Sequence, residues 1–168
     1  MVDELNSGFL VDAYTSPVVV KIMGRASFIN SAPLRDFFHR MIQSGKTEFL
    51  MDFQECTTMD STFLGITAGV ALELRKQTPS GKLILCRLGE RNLELVKNLG
   101  LHRILLLDEG NTAAKLSNGE ALKGMPLSEQ ENAKMVLKAH ETLCQCDDSN
   151  KERFQDVIHF LKNQIEEN

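Results

Sequence analysis

The chain has 168 residues, enough for one domain or one domain with an appendage, and its 42% hydrophobic and 25% charged content is ordinary for a globular protein. No apolar run approaches the roughly 20 residues of a membrane span, and the acidic start Met1-Val2-Asp3-Glu4-Leu5 has no signal-peptide pattern, so a cytoplasmic protein is expected. The net charge of −4 lies in the tail: residues 1–125 hold 14 acidic and 14 basic side chains, residues 126–168 hold 9 and 5, and no basic, aromatic-rich patch suits nucleic acid.

Phe9 to Tyr14 reads as a weakly signalled first strand. Pro17-Val18-Val19-Val20-Lys21-Ile22-Met23 is a strong one, short and β-branched, with Gly24 as its stop. Asn30-Ser31-Ala32-Pro33 announces a helix, capped by Ser31 or Asn30, with Pro33 tolerated in its first turn. Leu34, Phe37, Phe38, Met41 and Ile42 recur at helical spacing as its buried face, and Ser44-Gly45 ends it.

Glu48 to Phe53 is the next strand, with Cys56 in the loop beyond it. That loop runs into Met59-Asp60-Ser61-Thr62-Phe63-Leu64-Gly65 and a long Ala-rich helix that closes at Thr78-Pro79-Ser80-Gly81. Asp60 suits an N-cap, which puts Ser61 and Thr62 in the first turn. The orphan N–H groups and helix dipole there favour a phosphate by about 0.3–1 kcal/mol, while Asp60 opposes it by like charge. Taken locally, Asp-Ser-Thr simply starts a helix. A phosphate on Ser61 would change the loop's charge by roughly −2 and leave the fold intact, which is the physics of a binding switch.

Gly65 and Gly69 with Ala68 give the helix one very small side. It reads as a face for close packing on the sheet, at roughly 1 kcal/mol of helix propensity per Gly. No glycine-rich phosphate loop is present. Lys82 to Cys86 is a strand, and Glu90 to Leu99 a short helix with Leu93, Val96 and Leu99 inward and Gly100 after its end. Ile104-Leu105-Leu106-Leu107 reads as a last buried strand, and Thr112 to Leu122 as a helix. His102 falls in a loop. The alternation argues an α/β fold: a mostly parallel sheet of four or five strands with about four flanking helices.

Gly124-Met125-Pro126 reads as a boundary, dividing residues 1–124 from a C-terminal extension, 125–168. Two capping boxes follow, at Ser128–Glu131 and Ser149–Glu152. The first opens a helix with Val136, Leu137, His140 and Leu143 on one face. The second opens a helix with a stripe of Phe154, Val157, Ile158, Leu161 and Ile165. The two form a helical hairpin that cannot bury its stripes alone. It docks on its own domain, on a second copy as a homodimer, or on a partner. His140 lies one turn before Cys144, and Cys144-Gln145-Cys146 is a Cys-x-Cys pair, yet no second ligand pair at zinc spacing accompanies them. No metal or cofactor is expected.

The loop at Met59–Gly65, preceded by Leu50-Met51-Asp52, resembles the signature of the STAS domains. These are the anti-sigma factor antagonists and their relatives, whose Asp-Ser-Ser/Thr-x-Leu-Gly loop carries a phosphorylatable serine. The resemblance extends over roughly residues 10–120 in the spacing of strands and helices. Gly24 and the link Leu99-Gly100-Leu101-His102-Arg103-Ile104 also look like the family's. Arg25-Ala26-Ser27-Phe28 departs from it, since a Leu-Asp pair is common there and the segment lies beside the phospho-loop. Phe63 departs too, where the family often has Gly, and the C-terminal hairpin is not part of the pattern.

The resemblance implies a non-enzymatic module working by partner switching. An anti-sigma factor, a serine kinase of histidine-kinase-like ATPase fold, binds the unphosphorylated form. That partner then phosphorylates Ser61 (Thr62 is the alternative), and a PP2C-type phosphatase reverses the step. Met59, Asp60, Ser61, Thr62 and Phe63 would form the partner-binding surface, with Asp60 touching the partner and Phe63 as an exposed apolar anchor. A second reading is a STAS scaffold or oligomerisation subunit that acts through its C-terminal helices and does not switch. A third is ligand sensing, for which no phosphate motif or aromatic pocket is seen. Catalysis ranks last, because the His residues are scattered and no base is identifiable beside Ser61.

Overall fold

The computed structural model describes residues 7–108, Leu116 and 118–167. In chain order the elements are β1 (Gly8–Asp12), β2 (Val18–Ala26), α1 (Ala32–Gln43), β3 (Glu48–Met59), α2 (Ser61–Arg75), β4 (Lys82–Cys86) and α3 (Glu90–Asn98). A 3-10 turn (Leu101–Arg103), β5 (Leu106–Asp108), β6 (Glu120–Ala121), α4 (Glu129–Cys146) and α5 (Ser149–Glu166) complete them.

One six-stranded sheet has the order β5-β4-β3-β2-β1-β6. β2 to β5 run parallel, joined by crossovers through α1, α2 and α3, while β1 pairs antiparallel with both neighbours. Alternate residues of the central strands point into one core: Val18, Val20 and Ile22 of β2, Phe49, Met51 and Phe53 of β3, Leu83 and Leu85 of β4. Leu34, Phe37, Phe38 and Ile42 of α1 and Leu64, Ala68, Ala71 and Leu74 of α2 close over them. Each large side chain so buried contributes about 1.5–3 kcal/mol.

The mostly parallel α/β architecture and the C-terminal hairpin are as the sequence reading has them; several element ends are not. β2 does not stop at Gly24. It runs on to Ala26, and Gly24 takes φ 67 at a shift in the β2–β3 register, an irregularity that a left-handed glycine absorbs. β3 likewise continues through Cys56 to Met59, because its far end pairs with that extension of β2. The last parallel strand is shorter and more open than Ile104–Leu107 suggests: β5 starts at Leu106, which is 48% exposed on the sheet edge.

Of the expected helix at Thr112–Leu122, residues 112–115 and 117 lie outside the described residues. Its end is not helical: Glu120 and Ala121 pair with Val11 and Leu10, and Leu122 N–H donates to Phe9. The open edge of β1 offers unpaired backbone groups, and this short segment takes them, giving the sheet a sixth strand. At the start of α1, Ser31 is the N-cap residue, but its hydroxyl donates to the Ser27 carbonyl rather than capping. Ser128 does cap α4, accepting from Glu131 N–H at 3.1 Å. The expected box at Ser149 is replaced by Asp147, whose carboxylate accepts from both the N–H and the hydroxyl of Ser149.

The small side of α2 meets a different neighbour from the one expected. Gly65 and Gly69 face α4 rather than the sheet, while Ala68 packs into the main core. A Cβ on Gly65 would lie 2.8 Å from Ala139 Cα and closer still to that residue's carbonyl. The C-terminal hairpin therefore docks on its own domain, with α4 laid along α2 and α5 outside it. Asn150 at the head of α5 adds a tie, donating to the carbonyls of Leu99 and Leu143. Among the described residues no helix is long and apolar enough to cross a membrane.

Candidate functional site

The site is built where the long central strand ends. Asp60 is extended, with φ −107 and ψ 173, so the chain turns sharply from β3 into α2. Its Oδ1 accepts from Phe63 N–H at 2.8 Å, the cap foreseen from sequence. Its Oδ2 accepts from Phe28 N–H, also at 2.8 Å, and its own N–H donates to Ala26. One carboxylate thus binds the β2–α1 segment to the start of α2. That segment is further held by Asn30, whose Oδ1 accepts from Ser27 N–H and whose Nδ2 donates to the Arg25 carbonyl.

Ser61 is the first residue of α2 and half-buried. Its hydroxyl lies 2.8 Å from Nε2 of His140 on α4. The other ring nitrogen of His140, Nδ1, lies 2.7 Å from the Val136 carbonyl one turn earlier. A carbonyl oxygen only accepts, so Nδ1 carries a hydrogen, and in the neutral ring Nε2 accepts from the Ser61 hydroxyl. The ring is 4% exposed and meets the edge of Phe154 of α5 at a centroid distance of 4.9 Å. The imidazole is wedged between the start of α2 and the outer helix. This gives Ser61 the neighbouring base that its sequence surroundings lack. The orienting group behind the ring is a backbone carbonyl, not a carboxylate. Both nitrogens of His140 are committed within the protein.

The other expected surface residues lie deeper. Phe63 is not an exposed anchor: it is fully buried, stacked on Phe9 at 6.1 Å and meeting Phe53 edge-on at 6.2 Å. Its helix is apolar nearly all round, and such a helix is an interior one. Thr62 is 3% exposed and Met59 9%. The apolar side chains open to solvent beside Asp60 come from the neighbouring segment, Phe28 at 44% and Ile29 at 72% exposed.

Below the site, within β3 and opposite the end of β4, Asp52 is 1% exposed and receives both Nε and Nη2 of Arg87. Arg87 holds this pose with φ 55, in the left-handed region. Burial pushes the thiols of Cys56 and Cys86 up to about 11, the nearby Asp52 charge adding to the effect at Cys86. Both stay protonated at neutral pH, as unreactive thiols do. Among the described residues no group of three or more His, Cys, Asp and Glu side chains is arranged to hold a metal ion.

No protein-family model matches the chain, and no curated protein matches it. Its fold is similar to that of SpoIIAA, an anti-sigma factor antagonist, in the unphosphorylated form. The TM-score is 0.50 at 21% identity, over 64% of this chain and 89% of SpoIIAA. It is similar as well to the phosphorylated form of SpoIIAA, the Bacillus cell fate determinant, with a TM-score of 0.50 and 21% identity over 61% of this chain and 92% of that one. The fold is therefore the STAS-type one that the sequence resemblance implies, with C-terminal helices added.

Proposed function

We propose that this chain is a regulatory protein-binding module, not an enzyme, switched by phosphorylation of Ser61. The observation that carries the reading is the position of Ser61. It is the first residue of α2, directly after a capping Asp60, at the end of the central strand, on the fold of an anti-sigma factor antagonist known in unphosphorylated and phosphorylated forms. The partner class is a serine kinase of histidine-kinase-like ATPase fold, acting as an anti-sigma factor, with a PP2C-type phosphatase as the opposing activity. Asp60 and Ser61, with exposed Phe28 and Ile29 beside them, form the recognition surface, and buried Met59, Thr62 and Phe63 set its shape. Thr62, the alternative acceptor, is the less accessible of the two. Catalysis by the Ser61–His140 pair is disfavoured, since a substrate would have to displace α4 to reach the hydroxyl.

The non-switching scaffold reading draws on a different observation: the Ser61 hydroxyl is already engaged by the tail. Capture from native lysate with Ser61→Ala and Ser61→Asp forms, read by mass spectrometry, separates the two. The switch predicts a kinase-fold protein held by the Ala form and lost from the Asp form. Identical partners on both forms favour the scaffold.

A further inference from the structure

We infer that the C-terminal hairpin is a detachable cover over the Ser61 end of α2, which must leave before a modifying enzyme or partner reaches that face. The inference rests on the reading of Ser61 as the modified residue for its consequence, but not for its geometry.

Three observations carry it. The first is what the hairpin covers. α4 is seated on the N-terminal half of α2, against Gly65, and its His140 takes the Ser61 hydroxyl directly. A kinase needs that hydroxyl free and in line with its phosphoryl donor, so an incoming active site and α4 cannot occupy the face together.

The second is how the cover is attached. Ala32, Ile66, Met135 and Ala139 form a small apolar cluster of their own beside the main core, which Leu143 of α4 enters and against which Cys146 of α4 and Phe154 of α5 pack half-buried. α5 buries little: Asn150 and Leu161 are its buried residues, and Phe160 is 66% exposed. The fit is also incomplete. A groove of about 370 Å³ remains between α1, α2 and α4, rimmed by Arg35, His39, Glu73 and Lys138. Among the described residues no backbone–backbone hydrogen bond joins the hairpin to the sheet or to α1–α3, so side-chain packing and side-chain hydrogen bonds alone hold it, and it can open without breaking the sheet's ladder.

The third is the chemistry of the Ser61–His140 contact. Phosphorylation replaces the hydroxyl hydrogen with phosphorus. The phosphoryl group needs space beyond Oγ that the buried His140 ring fills at 2.8 Å while α4 is seated. The modification itself works against re-closure, so a modified module stays open.

Hydrogen exchange on the full chain, read by mass spectrometry, tests the cover with two glycine substitutions on one helix. Gly65→Ala improves the helix propensity of α2 but puts a Cβ into the backbone of Ala139. Gly69→Ala improves it equally and meets Thr142 Cγ2 at an ordinary 3.8 Å. The expected result is exchange in residues 129–166 about tenfold faster in Gly65→Ala, with β2, β3 and β4 unchanged and Gly69→Ala like the parent. Unchanged hairpin exchange in Gly65→Ala overturns the inference, as does a rise shared equally by hairpin and sheet. Ser61 phosphate occupancy in the native cell is measured on the same variants. Higher occupancy in Gly65→Ala supports gating, and equal non-zero occupancy overturns it. No phosphate in any form overturns the phosphorylation reading, while the exchange result still decides the cover.

Discussion

Ser61 Oγ and His140 Nε2 meet at 2.8 Å although 79 positions separate them in sequence. The contact ties the candidate for modification to the added C-terminal helices. It also makes the energetics of the two residues inseparable. Ser61→Ala leaves a buried ring nitrogen without its donor and is expected to lower stability by about 1 kcal/mol. His140→Ala also vacates the space against Phe154, and about 2–3 kcal/mol is expected. In a double-mutant cycle by urea denaturation the pair should couple by roughly 0.5–1.5 kcal/mol. Additive losses would mean that the hydrogen bond contributes nothing in solution.

The burial of Phe63 separates folding from recognition. Phe63→Ala should cost about 3–5 kcal/mol as a core cavity between Phe9 and Phe53. Phe28→Ser and Ile29→Ser, on the exposed segment beside Asp60, should stay within about 0.5 kcal/mol of the parent in thermal melts. If partner capture is lost in the surface variants while their melting is unchanged, the recognition surface is Phe28-Ile29, not Phe63.

The strand–helix alternation, the Asp60 cap and the hairpin were legible because each is written in neighbouring residues: a β-branched run, an Asp before a helix, two amphipathic stripes. The apolar circumference of α2 also carried the signal that Phe63 is interior, and a loop-based reading of Phe63 passed over it. Other features depend on partners far along the chain. Gly24 lies within a strand because β3 pairs with the residues beyond it. Glu120-Ala121 is a strand because β1 has an open edge. The small face of Gly65 announced a close neighbour without saying which, and only α4 laid on α2 makes His140 part of the site. A buried histidine on the inner face of a tail helix, together with an unpartnered small face elsewhere, was the available clue.

Arg87 and Asp52 give a third expectation. Asp52, within β3, is almost wholly buried and its charge is met by Arg87, just past the end of β4. Arg87→Met leaves that carboxylate without its counter-charge and should cost about 3–5 kcal/mol. Adding Asp52→Asn should restore part of the loss in the same denaturation assay. A double variant as unstable as the single one would mean that the left-handed turn at Arg87, not the ion pair, dominates.

The hinge of the hairpin responds to acid. Hydrogen bonds from the hydroxyl and N–H of Ser149 hold the Asp147 carboxyl below its usual value of 3.8, with Arg103 adding to the effect. A carboxyl lowered by folding favours the folded state while ionised. Its contribution is complete above about pH 4 and fades as pH falls through the lowered value. Melting of the parent and of Asp147→Asn should therefore differ at pH 6 and converge towards pH 3. The difference should shrink little in salt if the Ser149 bonds dominate, since Arg103 is exposed and screened. A constant difference across this range would remove Asp147 ionisation from the account.

The switch stands or falls on phosphopeptide mapping of the full chain isolated from its native cell. Phosphate is expected on Ser61 and none on buried Thr62. Phosphate confined to Thr62, or a chain that carries none while its partner-binding proteins are present, would contradict the switch and leave the hairpin-bearing scaffold in its place.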